Sequence, residues 1–180
     1  MEVDRAFNVR GGHWVFRGGL ARFFPEQWER LRAALPGDDP IDELARLLED
    51  PDPVERQRAA NAWCLWESAI GEWPPPEGLA SRFADPAHRR AFARVVTHYV
   101  RHDLFLEEGA LVRGATALAG IPGVIVNGSL DVQSPLANAW ELKRAWPDVE
   151  LVVVDAAGHT PTAAVARELR RATDRFAAAR

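Results

Sequence analysis

The chain has 180 residues, 47% of them hydrophobic, and a formal net charge of −4. That length holds one medium domain with a real apolar interior, and mild acidity without a Lys/Arg block excludes a nucleic-acid or anionic-membrane surface. Cys64 is the single cysteine, which excludes an internal disulfide and leaves no Cys/His metal spacing, so neither a metal nor a cofactor is expected.

The first ten residues, MEVDRAFNVR, lack the apolar core of a signal peptide, and no apolar run approaches membrane-spanning length. The expectation is a soluble, cytoplasmic chain. The first two thirds read as helices punctuated by proline. Pro25, Pro53 and Pro86 each stand where a first helical turn begins, the latter two behind Asp52 and Asp85 as N-caps. Val54, Trp63, Trp66 and Ile70 fall on or near one stripe of the second of these helices, and Phe92, Val95, Val96 and Tyr99 on one stripe of the third. Between them EWPPPEGLASRFADP, residues 72–86, is a loop or hinge, because consecutive prolines forbid a helix interior.

From residue 118 the pattern changes. Val124 to Val126 is a β-branched run bracketed by Gly123 and Gly128, which predicts a strand covered on both faces. ANAWELKRAW (137–146) predicts a helix, ELVVVDA (150–156) a second strand, and residues 163–177 a last helix with Val165, Leu169, Ala172 and Phe176 on one side. The order β-α-β-α implies parallel strands joined by a right-handed crossover. The fold class is therefore α/β, with helices preceding a sheet that looks incomplete, since no other strong strand is legible upstream.

Asp131 follows the first strand in GSLDVQSP, and His159 follows the second in AAGHTP. Loops leaving the same edge of adjacent parallel strands converge, so the topology can bring Asp131 to His159. A carboxylate that orients an imidazole through one ring nitrogen frees the other as a general base, the non-nucleophilic part of a Ser-His-Asp triad. A second reading fits the same spacing: Asp131 as a turn residue, and Gly158-His159 as the lead into a capped helix.

IPGVIVNGSLDVQSPLANAWELKRAWPDVELVVVDAAGH resembles the closing segment of the proline iminopeptidases (prolyl aminopeptidases), α/β-hydrolase serine peptidases in which a G-R-Y-D-x-x-x-P loop carries the triad aspartate and A-G-H the histidine. FRGGLARFFPEQWERL, DPDPVERQRAANAWCLWES and FARVVTHYV resemble the helical cap of that family, in its order, so the likeness runs from about residue 14 to the end. It implies a helical cap, or substrate lid, over residues 1–115 and the last β-α-β-α part of a hydrolase core over 116–180. Asp131 and His159 take the triad positions. Glu67, with Trp63 and Trp66 in WCLWES, takes the place of a carboxylate that receives the substrate's cationic N-terminal amine, though Trp63 and Trp66 also read as core and Glu67 as a solvated-face residue. A second such carboxylate belongs in F-A-R-I-E-N-H-Y-F, where this chain has Val96, and GSLD replaces GRYD.

No nucleophile is identified. The family's G-G-S-W-G elbow has no match: GGHWV, residues 11–15, mimics it with histidine in the serine position, and Ser68, Ser81, Ser129 and Ser134 stand in no G-x-S-x-G setting. The H-G-G-P-G loop that would supply oxyanion-hole amides is also unmatched. The resemblance thus implies release of N-terminal proline from small peptides by a protein of which this chain is the cap and C-terminal part, inactive by itself. It leaves open a truncated gene product, half of a split enzyme, or a ligand-binding protein that reuses the cap pocket. Expected partners are a small peptide or other small molecule, and a complementary N-terminal half or a second copy along the open sheet edge. Val96 suits an alternative, a hydrolase for neutral esters or amides.

Overall fold

A computed structural model describes residues 14–178. Helices dominate, and a two-stranded parallel sheet makes the chain α/β. The prolines act as the sequence suggested. Helix α1 (Pro25–Ala34), α2 (Pro40–Leu48), α3 (Pro53–Gly71) and α4 (Pro86–Arg101) each begin on one, where the missing N–H costs nothing. Asp52 and Asp85 accept from the backbone N–H groups of Val54 and Ala87, both at 2.8 Å. Asp39 does the same for α2, a third Asp-Pro start like the other two.

These four helices enclose one core. Leu20, Leu31, Leu35, Ile41, Leu44, Trp63, Trp66, Ile70 and Phe83 are all buried within it. Helix α3 runs through the middle and packs against α1, α2 and α4. Two expected stripes need correction. Val54 is exposed although Trp63, Trp66 and Ile70 are buried, because it lines an open groove between α3 and α1. In α4 the buried line is Arg89, Ala93, Thr97 and Val100, while Val95 and Tyr99 face outward and Phe92 and Val96 are half-buried. Small residues on that line let α4 approach α3 closely.

After a short helix α5 (Ala110–Gly114), strand β1 (Gly123–Gly128), helix α6 (Leu136–Ala145), strand β2 (Val149–Val154) and helix α7 (Ala163–Ala178) follow in the expected order. The strands are parallel and in register from Gly123 opposite Val149 to Gly128 opposite Val154. β1 is less covered than expected: Val124 to Asn127 are half-buried, with α6 and α7 as the helices chiefly packed on it.

Candidate active site

The two strands end level, and their exits are fastened together. A Cβ at Gly128 would stand 2.2 Å from the Ala157 carbonyl oxygen, so only glycine lets the two loops meet. Leu130 N–H donates to that same carbonyl at 3.0 Å. Ser129 N–H donates to the Val154 carbonyl, and its hydroxyl accepts from Ala156 N–H at 2.9 Å, which explains Ser129 as a turn residue. Ala156 itself takes a left-handed φ of 53°, and this kink sends the chain back towards the first loop.

The result is a close contact between the two residues that the topology singles out. His159 Nδ1 lies 3.0 Å from Asp131 Oδ2. The other oxygen, Oδ1, accepts from Ser134 N–H at 2.7 Å, closing a turn that fixes the carboxylate. Asp131 is 9% exposed and His159 37%. With Nδ1–H donating to the carboxylate, Nε2 keeps its lone pair on the open side, the arrangement a general base needs.

A third polar group reaches the same place from α3. Glu67 is only 4% exposed. Its Oε2 accepts from Gln133 Nε2 at 3.3 Å and lies 3.9 Å from the Arg82 guanidinium. Burial raises its pKa above the ordinary carboxylate range, and Gln133, Arg82 and His159 oppose that rise. A buried carboxylate in the field of an imidazole is a feature of functional sites.

Comparison with known proteins decides the ancestry. A probable proline iminopeptidase of Streptomyces coelicolor is 47% identical over 88% of this chain and 51% of its own length. The proline iminopeptidases of Xylella fastidiosa and Arabidopsis thaliana are 40% and 32% identical, each over 82% of the chain and 48% and 40% of their own lengths. The chain is homologous to the proline iminopeptidases. It spans about half the length of the curated relatives it matches. No protein-family profile matches it.

Not every residue singled out from the proline iminopeptidase resemblance meets the dyad. Trp63 and Trp66 are core residues instead: Trp63 is fully buried with Phe16 at a ring distance of 5.1 Å, and the Trp66 indole N–H donates to the Val15 carbonyl at 3.1 Å. They sit there because α3 is the central helix, and their bulk fills the space between its neighbours. Glu67, the next residue round the helix, is the one turned towards Gln133. Val96 packs half-buried against the helical core. Ser68 is spent on structure, its hydroxyl donating to the Cys64 carbonyl and accepting from Ala80 N–H. Burial pushes the Cys64 thiol up to about 12, which removes it as a nucleophile at neutral pH. Of the GGHWV stretch, residues 11–13 lie outside the described residues.

Among the described residues no three His, Cys, Asp or Glu side chains group as metal ligands, and no helix is long and apolar enough to cross a membrane. A groove of about 730 Å³ opens between α1, α3 and Pro76 to Gly78, but none of Asp131, His159 and Glu67 lines it. The residues sequence reading missed are those that join helix to loop. Trp14 Nε1 donates to the Val132 carbonyl at 2.7 Å, Thr160 N–H to the Gly71 carbonyl at 2.7 Å, and Gln133 to Glu67. Gln133 stands two places past Asp131, and a polar side chain at that spacing was the available signal.

Proposed function

We propose that this chain supplies the Asp-His pair and the amine-binding carboxylate of a prolyl-aminopeptidase-type serine hydrolase. The supporting observation is that Asp131, His159 and Glu67 converge, two from the sheet edge and one from the central helix. The substrate is a small peptide with a free N-terminus, preferably proline. Its cationic amine is costly to desolvate unless a carboxylate meets it, and Glu67 is that carboxylate. An arriving cation offsets the burial that disfavours the Glu67 anion, so amine binding and Glu67 ionisation favour each other.

In the reaction a serine hydroxyl attacks the carbonyl of the N-terminal residue while His159 Nε2 takes its proton. Asp131 holds the ring and stabilises the imidazolium. The C–N bond breaks as His159 returns the proton to the leaving amine, and the N-terminal residue stays as an ester on the serine. Water, deprotonated by His159, then releases it. No serine of this chain stands in an elbow, so the nucleophile and the oxyanion amides belong to a complementary N-terminal half. The 180-residue chain by itself is therefore the cap and C-terminal part of a hydrolase core, without serine hydrolase activity.

A fluorophosphonate probe tests this. The chain alone should not label at any serine, and a chain joined to an N-terminal half of a relative should label on that half and lose labelling with His159→Ala. Specific labelling of Ser68, Ser81, Ser129 or Ser134 would overturn the proposal. The sequence favours a second reading: Val96 stands where the resemblance implies a second carboxylate, which suits a neutral ester or amide. Proline and alanine arylamides against neutral aryl esters separate the two.

A further inference from the structure

The loop bearing Asp131 is held rigidly. Within the five residues 130–134 it carries the Asp131 to Ser134 turn at 2.7 Å, the Trp14 contact to Val132 at 2.7 Å, and the Leu130 contact to Ala157 at 3.0 Å. Gln133 rises from that fixed turn and donates to Glu67, 66 residues away in sequence, across the boundary between sheet and helices. The loop bearing His159 docks on the same helix, through Thr160 N–H to the Gly71 carbonyl. The last turn of α3 is thus the common seat of both loops.

The Gln133 amide also has a fixed sense. Its Oε1 is buried with no hydrogen-bond partner among the described residues, as is Thr160 Oγ1 beside it. Both stand close to Gly71, 3.9 Å and 3.3 Å from where a Cβ would be. Leaving an amide oxygen buried and unpaired is costly. Turning the amide over would direct that oxygen at Glu67, which is worse whenever the carboxylate is ionised, as it is when an amine is bound. An apolar side chain would avoid the cost altogether, so the contact that accounts for a glutamine here is its N–H on Glu67.

We propose that Gln133 is a positioning residue: its side-chain N–H holds the Glu67 carboxylate against the loop of Asp131, so that the group receiving the substrate's amine and the group orienting His159 are held as one body. This rests on the role given to Glu67 above. Both contacts of the carboxylate fall on Oε2, so Oε1 is the oxygen turned to the amine. The consequence is selectivity for a free N-terminus set from the catalytic loop, not from the helix alone.

The experiment uses the 180-residue chain with carbon-13 at glutamate side-chain carboxyls. The Glu67 signal is assigned by its loss in Glu67→Gln, and its pH midpoint is followed in wild type, Gln133→Met and Gln133→Glu, each checked for native amide dispersion. L-prolinamide is then titrated, with N-acetylprolinamide as the blocked control. The proposal expects both Gln133 variants to raise the Glu67 midpoint and to weaken L-prolinamide about tenfold, the size of one charge-assisted hydrogen bond, without creating affinity for the blocked amide. A purely structural glutamine would lower thermal stability and leave the Glu67 midpoint in place. If Glu67→Gln loses L-prolinamide but both Gln133 variants bind it as wild type does, positioning by Gln133 is wrong and the amine subsite stands. If Glu67→Gln binds as well as wild type, or wild type does not bind, the amine subsite fails and the proposal falls with it.

Discussion

The helical layer and the β-α unit are built to different standards of closure. Around α3, Trp63, Trp66, Phe83, Leu31, Ile41 and Leu44 lose nearly all contact with solvent. In the β-α unit α7 has no fully buried residue, and Trp140, Val153 and Leu169 remain 53%, 46% and 46% exposed. The first region has a core of its own. The second has two strands whose outer edges and faces are partly bare, a surface that proteins normally cover. The candidate site straddles the two: the well-packed helix carries Glu67, and the thinly covered unit carries Asp131 and His159.

The largest effect should come from the closed region. Trp63→Ala removes the central side chain of the helical core and should cost about 3–5 kcal/mol. Val153→Ala, on the exposed face of β2, should stay within about 0.5 kcal/mol. Urea unfolding of both variants reads the contrast. Similar losses in the two would show that the regions share one core.

Next comes the free edge of β1, which pairs with β2 alone among the described residues. We expect the isolated chain to associate through that edge or to open there first, with amides of residues 123–128 exchanging at opening free energies about 2 kcal/mol or more below those of α3. A complementary N-terminal half should restore protection. Light scattering with hydrogen exchange is the check. A stable monomer fully protected through this strand would mean that the edge needs no partner.

A smaller effect, of about 1–3 kcal/mol, should follow Gly128→Ala, because the new Cβ meets a backbone carbonyl that cannot swing aside. The loop of His159 has to retreat, so the variant should separate the dyad while leaving the helical layer intact. Loss of the His159 to Asp131 coupling in imidazole NMR, with unchanged tryptophan fluorescence, is the expected signature. Intact coupling would show that the strand exits tolerate displacement.

Legibility in the sequence followed the same division. Strand order, parallel pairing and the convergence of Asp131 with His159 were readable because β-branched runs, bracketing glycines and a crossover helix constrain topology locally. Three prolines, two of them behind a capping aspartate, mark helix starts in the sequence, and Asp39-Pro40 repeats the signal at α2. Side-chain facing was harder. Four residues of α4 matched a helical stripe, yet the packed line runs through Ala93 and Thr97, since close helix approach selects small residues that a hydrophobic pattern does not register. Trp63 and Trp66 could be placed near Glu67 in sequence but not assigned to core or site until the neighbours of α3 were known. The link from Gln133 to Glu67 joins residues 66 positions apart, and no local pattern encodes such a contact.

The smallest effect concerns the one buried carboxylate that bridges the two regions. Burial is the leading influence on Glu67 and raises its pKa above the unfolded value of 4.5, with Gln133, Arg82 and His159 only partly opposing it. A carboxylate of this kind holds its proton longer in the folded chain than in the unfolded one. Its contribution to stability is therefore fully present below pH 4.5 and is lost as pH rises through the elevated folded value. Glu67→Gln keeps the shape and an oxygen for Gln133 but cannot ionise. The variant should match wild type near pH 4 and become the more stable of the two as pH rises, each kcal/mol gained lifting Tm by about 2–4 °C in a chain of this size. Thermal scans from pH 4 to 8 read the divergence. If Glu67→Gln instead melts lower at pH 8, the Arg82 and Gln133 contacts outweigh burial, and the carboxylate is held ionised as a structural bridge between helix and loop.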